Sequence, residues 1–163
     1  MELDKDLKAR QEARDLARQA EVAQKLLTRM NQTQLDKIVQ AIADSFYKHS
    51  GELADMAVRE TGFGNTEDKT RKNEFASRKV WEAVRDMKTV GVLNRHVAEK
   101  LWEIGVPVGV IAAIVPSTNP TSTVCYKAII ALKAGNSIVF SPHPKALACS
   151  LAAAKSSSSP LNS

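Results

Sequence analysis

Five consecutive turn-forming and polar residues, Pro116-Ser117-Thr118-Asn119-Pro120, follow an apolar run that ends at Val115. A helical pattern resumes directly afterwards, so this short segment must carry the chain from a strand into a helix. Asn119 followed by Pro120 fits a helix N-cap with proline at the first helical position. The free N–H groups of such a helix end favour an anion or a developing oxyanion. From the local sequence alone, a plain N-cap without a ligand is the more typical role of Asn119.

A second segment of this kind, Ser141-Pro142-His143-Pro144, follows the next apolar run. In open α/β sheets, ligands bind beyond the carboxyl ends of the strands, so two such loops at one sheet edge predict a cofactor crevice. Taken alone, His143 is more typical of a surface loop than of a ligand contact. No glycine-rich dinucleotide fingerprint accompanies the loops, because the glycines Gly105 and Gly109 precede the strand instead of following it.

The two cysteines, Cys125 and Cys149, have no metal-ligand spacing and no histidine partner nearby. In a chain whose charged N-terminus lacks a signal sequence, such residues indicate reduced thiols in the cytoplasm. We therefore expect both cysteines to be buried as small hydrophobic side chains, and we expect no metal site.

Composition restricts the partners of the protein. Apolar residues make up 44% and charged residues 25% of the chain, as in an ordinary soluble globular protein. The formal net charge is +5, but basic and acidic residues are mixed, and no concentrated basic stripe with aromatic residues suggests nucleic-acid binding. The longest apolar stretch is too short to span a bilayer. The composition therefore predicts a cytoplasmic protein that binds neither nucleic acid nor a membrane.

Helical periodicity dominates the first half of the chain. Two successive helices are predicted, each with apolar residues that recur at helical spacing on one face. The first face contains Leu16, Ala20, Ala23, Leu27 and Met30, and the second contains Leu35, Ile38, Val39, Ile42 and Phe46. Gly51 is predicted to end the second helix, and a third helix over 52–61 is predicted to end at a left-handed Gly62 or Gly64. A polar helix follows, from which the side chains expected to face inward are Phe75, Val80, Trp81 and Val84.

The pattern changes to strands near Val90. The predicted elements are, in order, strands over 90–93, 101–104 and 108–115, a helix over 120–133, a strand over 137–140 and a helix from 145. The run over 108–115 is continuously apolar, which predicts a strand buried on both faces. Strand, helix and strand with short connections form a parallel βαβ unit. The sequence thus predicts an α/β fold in which N-terminal helices pack on a partial Rossmann-like parallel sheet.

The predicted sheet is too small to stand alone, because two parallel strands and one helix leave large apolar faces uncovered. We therefore expect residues 1–155 to form part of a larger cofactor-binding domain. The remainder, 156–163, is rich in serine and of low complexity. We predict that it is a disordered tail, which is either a flexible natural segment or, as we favour, a segment that does not belong to the natural sequence.

Two stretches carry a resemblance to a known family. The run PVGVIAAIVPSTNPTSTVCYKAIIALKAGNSIVFSPHP, over 107–144, resembles the aldehyde dehydrogenase superfamily. Its PSTNP and SPHP segments are similar to the coenzyme A-acylating branch, the acetylating acetaldehyde dehydrogenases. The stretch ETGFGNTEDKTRKN, over 60–73, is similar to the same branch and lies at the expected distance upstream.

The resemblance implies a reaction, in which an aldehyde such as acetaldehyde, NAD and coenzyme A give acyl-coenzyme A and NADH. In this family a cysteine of a later catalytic domain is the nucleophile, and neither Cys125 nor Cys149 lies in such a motif. The chain is therefore expected to be an incomplete NAD-binding domain that is inactive alone. The resemblance also implies that strands within 92–106 join subunits, so that the intact enzyme is a homo-oligomer.

The resemblance also points to an oxyanion-stabilising residue. In the wider family a Pro-Trp-Asn-Phe-Pro loop supplies an asparagine that stabilises the oxyanion. Without gaps, that asparagine aligns with Thr118, and Asn119 aligns with the phenylalanine. Either Thr118 or a shifted Asn119 is thus the catalytic candidate.

The cofactor-binding residues are assigned in the same way. A lysine that touches the adenosine ribose in the wider family is replaced by Ser141, so contacts to adenosine are implied for Ser141, Pro142 and His143. Pro116 and Ser117 complete the implied cofactor-binding set. The neutral Ser141 does not decide between NAD and NADP.

Two other functions are compatible with the sequence. One is a stand-alone nucleotide- or coenzyme A-binding module that regulates or scaffolds a full-length partner. The other is a structural helical adaptor with a vestigial sheet. A well-behaved monomer without exposed apolar sheet faces would favour the module, whereas exposed faces favour part of a larger enzyme.

Overall fold

The computed structural model describes residues 4–158. The helices are α1 (Lys5–Leu27), α2 (Gln32–Lys48), α3 (Ser50–Thr61), α4 (Thr66–Glu74), α5 (Val80–Val84), α6 (Pro120–Lys133) and α7 (Leu147–Ser158). The strands are β1 (Gly91–His96), β2 (Leu101–Gly105), β3 (Val110–Val115) and β4 (Ser137–Pro142). A π-helical turn, Phe75–Lys79, joins α4 to α5, and a 3₁₀ turn, Pro144–Ala146, precedes α7.

Strands β3 and β4 pair in parallel, with α6 as the connection between them. Their register runs from Val110 opposite Ser137 to Val115 opposite Pro142. The predicted βαβ unit and the α/β fold class are therefore confirmed. Strands β1 and β2 form a separate antiparallel hairpin, whose register is irregular between Val92 and Asn94.

The core lies between the N-terminal helices and the βαβ unit. Helix α2 contributes Val39 and Phe46, which are fully buried, and the first turn of the helix is closed by a capping box at Asn31. The buried cluster around them is Val39, Ala43, Phe46, Leu53, Ala76, Val115, Val124, Cys125, Ile129 and Ala153. Since these residues come from helices, β3 and the π-helical turn, one core fixes α6 relative to the sheet.

A partly buried ion pair joins α2 to the end of α6. The Lys133 side chain is 2% exposed, and its Nζ lies 2.6 Å from Asp36 Oδ1. The same ammonium donates to the Arg85 carbonyl at 2.9 Å, and Gln32 Oε1 accepts from the backbone N–H of Thr89 at 2.8 Å. These contacts hold the segment that leads into the hairpin against the βαβ unit.

Two predicted helix ends have different outcomes. Helix α2 ends at Lys48 and α3 begins at Ser50, so the prediction that Gly51 breaks the pattern is wrong. The break lies at His49, whose backbone N–H and ring Nδ1 are both bonded to the Ser45 carbonyl. The left-handed end of α3 at Gly62, with φ of 70°, is confirmed.

Some predicted inward faces are exposed. Strand β3 is covered on one face only, because Ala113 and Val115 are buried while Ile114 is 75% exposed. Leu16 and Ala23 on α1 are also exposed. The prediction of a strand buried on both faces is thus wrong for the described chain.

Residues 156–158 of the predicted tail belong to helix α7. Helix α7 continues to Ser158, because the Ser156 carbonyl accepts from Ser45 Oγ at 2.8 Å and Ser156 Oγ donates to the Ala152 carbonyl at 3.1 Å. Serine hydroxyls that bond back to the preceding turn are compatible with a helix. The remaining tail residues, 159–163, lie outside the described part of the chain.

Candidate functional site

The two predicted loops meet at the carboxyl edge of the β3–β4 sheet. Val115 and Pro142 form the last pair of the register, and the His143 N–H donates to the Val115 carbonyl at 2.9 Å. The segment 116–119 therefore starts beside the segment 141–143. The structure brings together all seven residues that the sequence singled out at this edge, namely Pro116, Ser117, Thr118, Asn119, Ser141, Pro142 and His143.

Helix α4 supports the first loop through two lysines. Lys69 Nζ donates to the Thr118 carbonyl at 2.7 Å, and Lys72 Nζ donates to Asn119 Oδ1 at 3.1 Å. Asn119 occupies the N-cap position of α6, but its side chain makes no capping hydrogen bond, and its oxygen accepts from Lys72. The prediction of a side-chain N-cap is therefore wrong, although the position is right.

Lys69 is a buried cation at this site. The residue is only 6% exposed, and its ammonium also lies beside Gly64, where an added Cβ would be 3.9 Å from Nζ. Burial, and then the neighbouring charge of Lys72, lower the pKa of the Lys69 ammonium. A positive charge is thus held directly beneath the loop.

Asn73 fixes the first turn of α6. This residue is 1% exposed, its Oδ1 accepts from Thr121 Oγ1 at 2.9 Å, and its Nδ2 donates to the Ser50 carbonyl at 2.9 Å. One buried amide therefore joins α3, α4 and α6. The start of α6, and the loop that precedes it, is positioned by α4 at three successive points, Lys69, Lys72 and Asn73.

The second segment is partly strand. Ser141 and Pro142 belong to β4, so the prediction that the loop begins at Ser141 is wrong, because parallel pairing with Ile114 and Val115 extends the strand. Ser141 and His143 are exposed. His143 Nδ1 accepts from the Lys145 N–H at 3.1 Å, so in the neutral imidazole the proton lies on Nε2. The exposed groups at this edge are thus a hydroxyl and an N–H donor.

The carboxylate of Glu60 caps α7 from the end of α3. Its two oxygens accept from the backbone N–H groups of Ala148 at 2.8 Å and Cys149 at 2.7 Å. Burial alone would raise the pKa of Glu60, but hydrogen bonds from Cys149 and from the backbone outweigh it and hold the pKa below the ordinary value of 4.5. Glu60 thus anchors the helix that follows the 141–143 segment.

Glu60→Gln is expected to flatten the acid side of the stability profile. Because the folded-state pKa of Glu60 is lowered, its contribution is complete above pH 4.5 and is lost as the pH falls through the folded-state pKa. The free energy of unfolding of the wild-type chain should therefore fall more steeply below pH 4.5 than that of the variant. Urea unfolding at several pH values, with exposed Glu12→Gln as the control, measures this. Equal slopes for the wild type and Glu60→Gln would contradict the cap.

Both cysteines are buried and free, as the sequence predicted. Burial raises the pKa of the Cys125 thiol well above its usual range. Burial, and then the Glu60 carboxylate, raise the pKa of Cys149 to about 12. Since the thiolate is the reactive form, neither side chain is suited to nucleophilic attack near neutral pH.

A cleft of about 460 Å³ opens beside the first loop. Its walls are mostly apolar and include two basic residues, and its lining residues are Arg71, Lys72, Phe75, Ala76, Val80, Ser122 and Tyr126. Phe75 is 65% exposed, so the prediction that it faces inward is wrong, because the π-helical turn directs Ala76 and Ser77 to the core instead. Val80, Trp81 and Val84 are partly buried against the core as predicted.

Sequence reasoning did not single out Lys69, Lys72 or Asn73. Their contacts join residues 47 to 49 positions apart, which no local pattern indicates. The available signal was the spacing of Lys69 and Lys72, three residues apart on one face of a polar helix.

Within residues 4–158, no group of three or more His, Cys, Asp or Glu side chains is placed to hold a metal ion. In the same part of the chain, no helix has the length and apolar character needed to cross a membrane.

The chain has an α/β fold in which two parallel strands end side by side, with the segments 116–119 and 141–143 at their carboxyl edge. The family model of the aldehyde dehydrogenase family matches residues 5–159. The chain belongs to the aldehyde dehydrogenase family.

The proteins similar to this chain include an enzyme named as an acetylating aldehyde dehydrogenase. A probable aldehyde dehydrogenase from Listeria monocytogenes EGD-e has 52% identity and a TM-score of 0.95, covering 97% of this chain and 35% of its own. An acetylating aldehyde dehydrogenase from Geobacillus thermoglucosidasius has 51% identity and a TM-score of 0.93, covering 96% of this chain and 35% of its own. The bifunctional aldehyde-alcohol dehydrogenase AdhE of Escherichia coli K12 is 44% identical over 131 residues, which are 80% of this chain and 15% of that protein.

The chain thus spans about a third of the two solved structures and about a seventh of the Escherichia coli protein. The predicted family, and its acylating branch, are confirmed by these relatives.

Proposed function

We propose that this chain supplies the nucleotide-binding side of an enzyme that converts an aldehyde, NAD⁺ and coenzyme A into acyl-coenzyme A, NADH and a proton, reversibly. The observation that carries the proposal is the meeting of segments 116–119 and 141–143 at the carboxyl edge of the β3–β4 pair in an aldehyde dehydrogenase chain. Ligands of open parallel sheets bind at this edge. NAD⁺ supplies the hydride acceptor when bound.

The side chains at the edge fit a nucleotide. Segments 116–119 and 141–145 contain no acidic residue, so nothing there repels a phosphate. At the adenosine end, the exposed Ser141 hydroxyl can donate or accept and the exposed His143 can donate through Nε2–H, with Pro142 beside them. Pro116 and Ser117 lie opposite, at the end of β3, and would contact the part of the cofactor that extends toward α6.

The aldehyde would approach from the cleft lined by Phe75 and Tyr126. This cleft reaches Lys72, which contacts Asn119, so its apolar walls lead to the oxyanion candidates. When a nucleophile attacks the aldehyde carbonyl, the developing oxyanion would accept a hydrogen bond from Thr118 or Asn119.

The nucleophile does not come from the described cysteines in this proposal. Cys125 and Cys149 are buried thiols with raised pKa values, so we propose that the chain is inactive alone. Two free thiols also agree with a reducing, cytoplasmic environment.

We further propose that the intact enzyme is an oligomer. The β1–β2 hairpin exposes Leu101, Trp102 and Ile104, each by more than half. Exposed apolar side chains on paired strands are typical of interaction surfaces, which supports a subunit contact within 92–106.

A calorimetric titration of the purified chain tests the proposed cofactor site. We expect NAD⁺ to bind and Ser141→Glu to weaken binding by about tenfold or more, because a carboxylate at the edge repels the phosphates. Gln40→Glu, which adds the same charge on the exposed face of α2, is the control.

Two results would contradict the proposal. The absence of NAD⁺ binding by the wild-type chain would overturn the nucleotide site. Acetaldehyde- and coenzyme A-dependent NADH formation by the chain alone would overturn its inactivity and make Cys125 or Cys149 the nucleophile.

A further inference from the structure

Two lysines of α4 hold adjacent residues of the loop that carries the oxyanion candidates. Lys69 bonds the Thr118 carbonyl at 2.7 Å, and Lys72 bonds Asn119 Oδ1 at 3.1 Å. Three residues apart on one helix, both ammonium groups face the same loop. The loop is therefore held at its backbone and at its side chain by one rigid element.

The chemistry of the lysine ammonium fixes the orientation of the Asn119 amide. An ammonium group has three donors and no acceptor, so the atom that faces Lys72 must be the carbonyl oxygen of the amide. The Nδ2 group, with its two N–H donors, must then point away from Lys72. This orientation makes Asn119 a donor toward the other side of the loop.

The Lys72 contact occurs together with a missing side-chain cap on α6. An N-cap asparagine accepts through its side-chain oxygen from the second or third N–H of the helix. Here that oxygen is bonded to Lys72, and the Asn119 side chain does not cap α6. The N–H groups of Thr121 and Ser122 are therefore not covered by this side chain.

We propose that Lys72 is a positioning residue that keeps Asn119 from capping α6 and so turns its Nδ2 group into the oxyanion donor. Lys69, which is 6% exposed, donates to the Thr118 carbonyl and so holds the backbone of the loop in place. This inference rests on the proposed function and selects Asn119 over Thr118. Lys72 acts through Asn119 and does not itself contact the reacting carbonyl.

Nuclear magnetic resonance of the ¹⁵N-labelled chain tests the positioning role. In Lys72→Met, we expect the Asn119 oxygen to move to the start of α6. The Asn119 Nδ2 signals should then shift, and amide exchange of Thr121 or Ser122 should slow by about tenfold. Lys72→Arg, which restores a donor, should keep the wild-type spectrum of Asn119. Lys79→Met, an exposed lysine paired with Glu82, is the matched control.

The outcomes separate this inference from the proposed function. Unchanged Asn119 signals and unchanged exchange at 121–122 in Lys72→Met would overturn the positioning role, since Lys72 is exposed and its loss should not unfold the chain. An NAD⁺ titration of the same samples reports on the proposed function independently. Failure of NAD⁺ to bind any form would overturn that function, whatever the Asn119 signals show.

Discussion

Asp36→Ala is expected to lower the free energy of unfolding by about 3–5 kcal/mol, because it leaves a buried ammonium without its carboxylate. Lys133 is 2% exposed, and its Nζ lies 2.6 Å from Asp36 Oδ1. After the substitution, the ammonium would keep its hydrogen bond to the Arg85 carbonyl at 2.9 Å. A single carbonyl does not compensate a desolvated charge, so the folded state should lose most of the benefit of the pair.

Urea unfolding followed by circular dichroism measures this loss. Asp44→Ala removes an exposed carboxylate from the same helix and serves as the control, with an expected change below about 0.5 kcal/mol. Lys133→Met removes the buried charge itself, so in an Asp36→Ala background it should restore part of the stability. A loss below about 1 kcal/mol in Asp36→Ala would show that the pair behaves like a surface ion pair and would contradict the prediction.

Asn73→Ala should cost about 1–3 kcal/mol, because it leaves the buried Thr121 hydroxyl without its acceptor. The Thr121 hydroxyl donates to Asn73 Oδ1 at 2.9 Å, and the Ser50 carbonyl, which also accepts a hydrogen bond within α3, loses the Asn73 Nδ2 donor at 2.9 Å. For a chain of this size, the melting temperature should fall by roughly 2–12 °C. The loss would release the first turn of α6 from α3 and α4, and NAD⁺ binding should weaken with it.

Thermal unfolding of Asn73→Ala, with Asn94→Ala on the exposed hairpin as the control, measures this effect. A melting temperature within about 1 °C of the wild type would mean that the amide contacts add little and that α6 is positioned by the apolar core alone. Asn73→Asp distinguishes the two halves of the contact, since a carboxylate can still accept from Thr121 but cannot donate to the Ser50 carbonyl.

The sequence predicted the βαβ unit because its signals are local. The β-branched run that ends at Val115 and the Asn119-Pro120 start define the strand and the helix by periodicity and by the φ angle of proline. Helix α6 ends at Lys133, where it was predicted, because Gly135 accepts a positive φ of 73°. Short connections then leave few ways to pair the two strands.

The side-chain geometry of the site could not be predicted, because it depends on contacts between distant segments. The Asn119 side-chain oxygen accepts from Lys72, 47 residues earlier in the chain, whereas the local N-cap pattern predicted that it would accept from an N–H of α6. Phe75 has the apolar character of a core residue, yet the π-helical turn shifts the helix face by one residue and exposes it. The exposed face of β3 likewise depends on what packs there, and not on the strand itself.

The extent of the C-terminal helix is a smaller example of the same limit. Composition predicted a tail from Ser156, but a tertiary hydrogen bond from Ser45 holds the Ser156 carbonyl within α7. A low-complexity serine run has little helical preference of its own, so the contact with α2 decides its structure.

Mapping the NAD⁺ contacts on the chain tests whether the cofactor binds at the carboxyl edge of β3 and β4. Backbone amide shifts of the ¹⁵N-labelled chain, recorded during a titration with NAD⁺, report which residues meet the cofactor. We expect the largest changes on Ser117, Thr118 and Asn119 and on Ser141 and His143, at the carboxyl edge of β3 and β4. Changes confined to other surfaces, with the 116–119 and 141–143 segments unmoved, would contradict it.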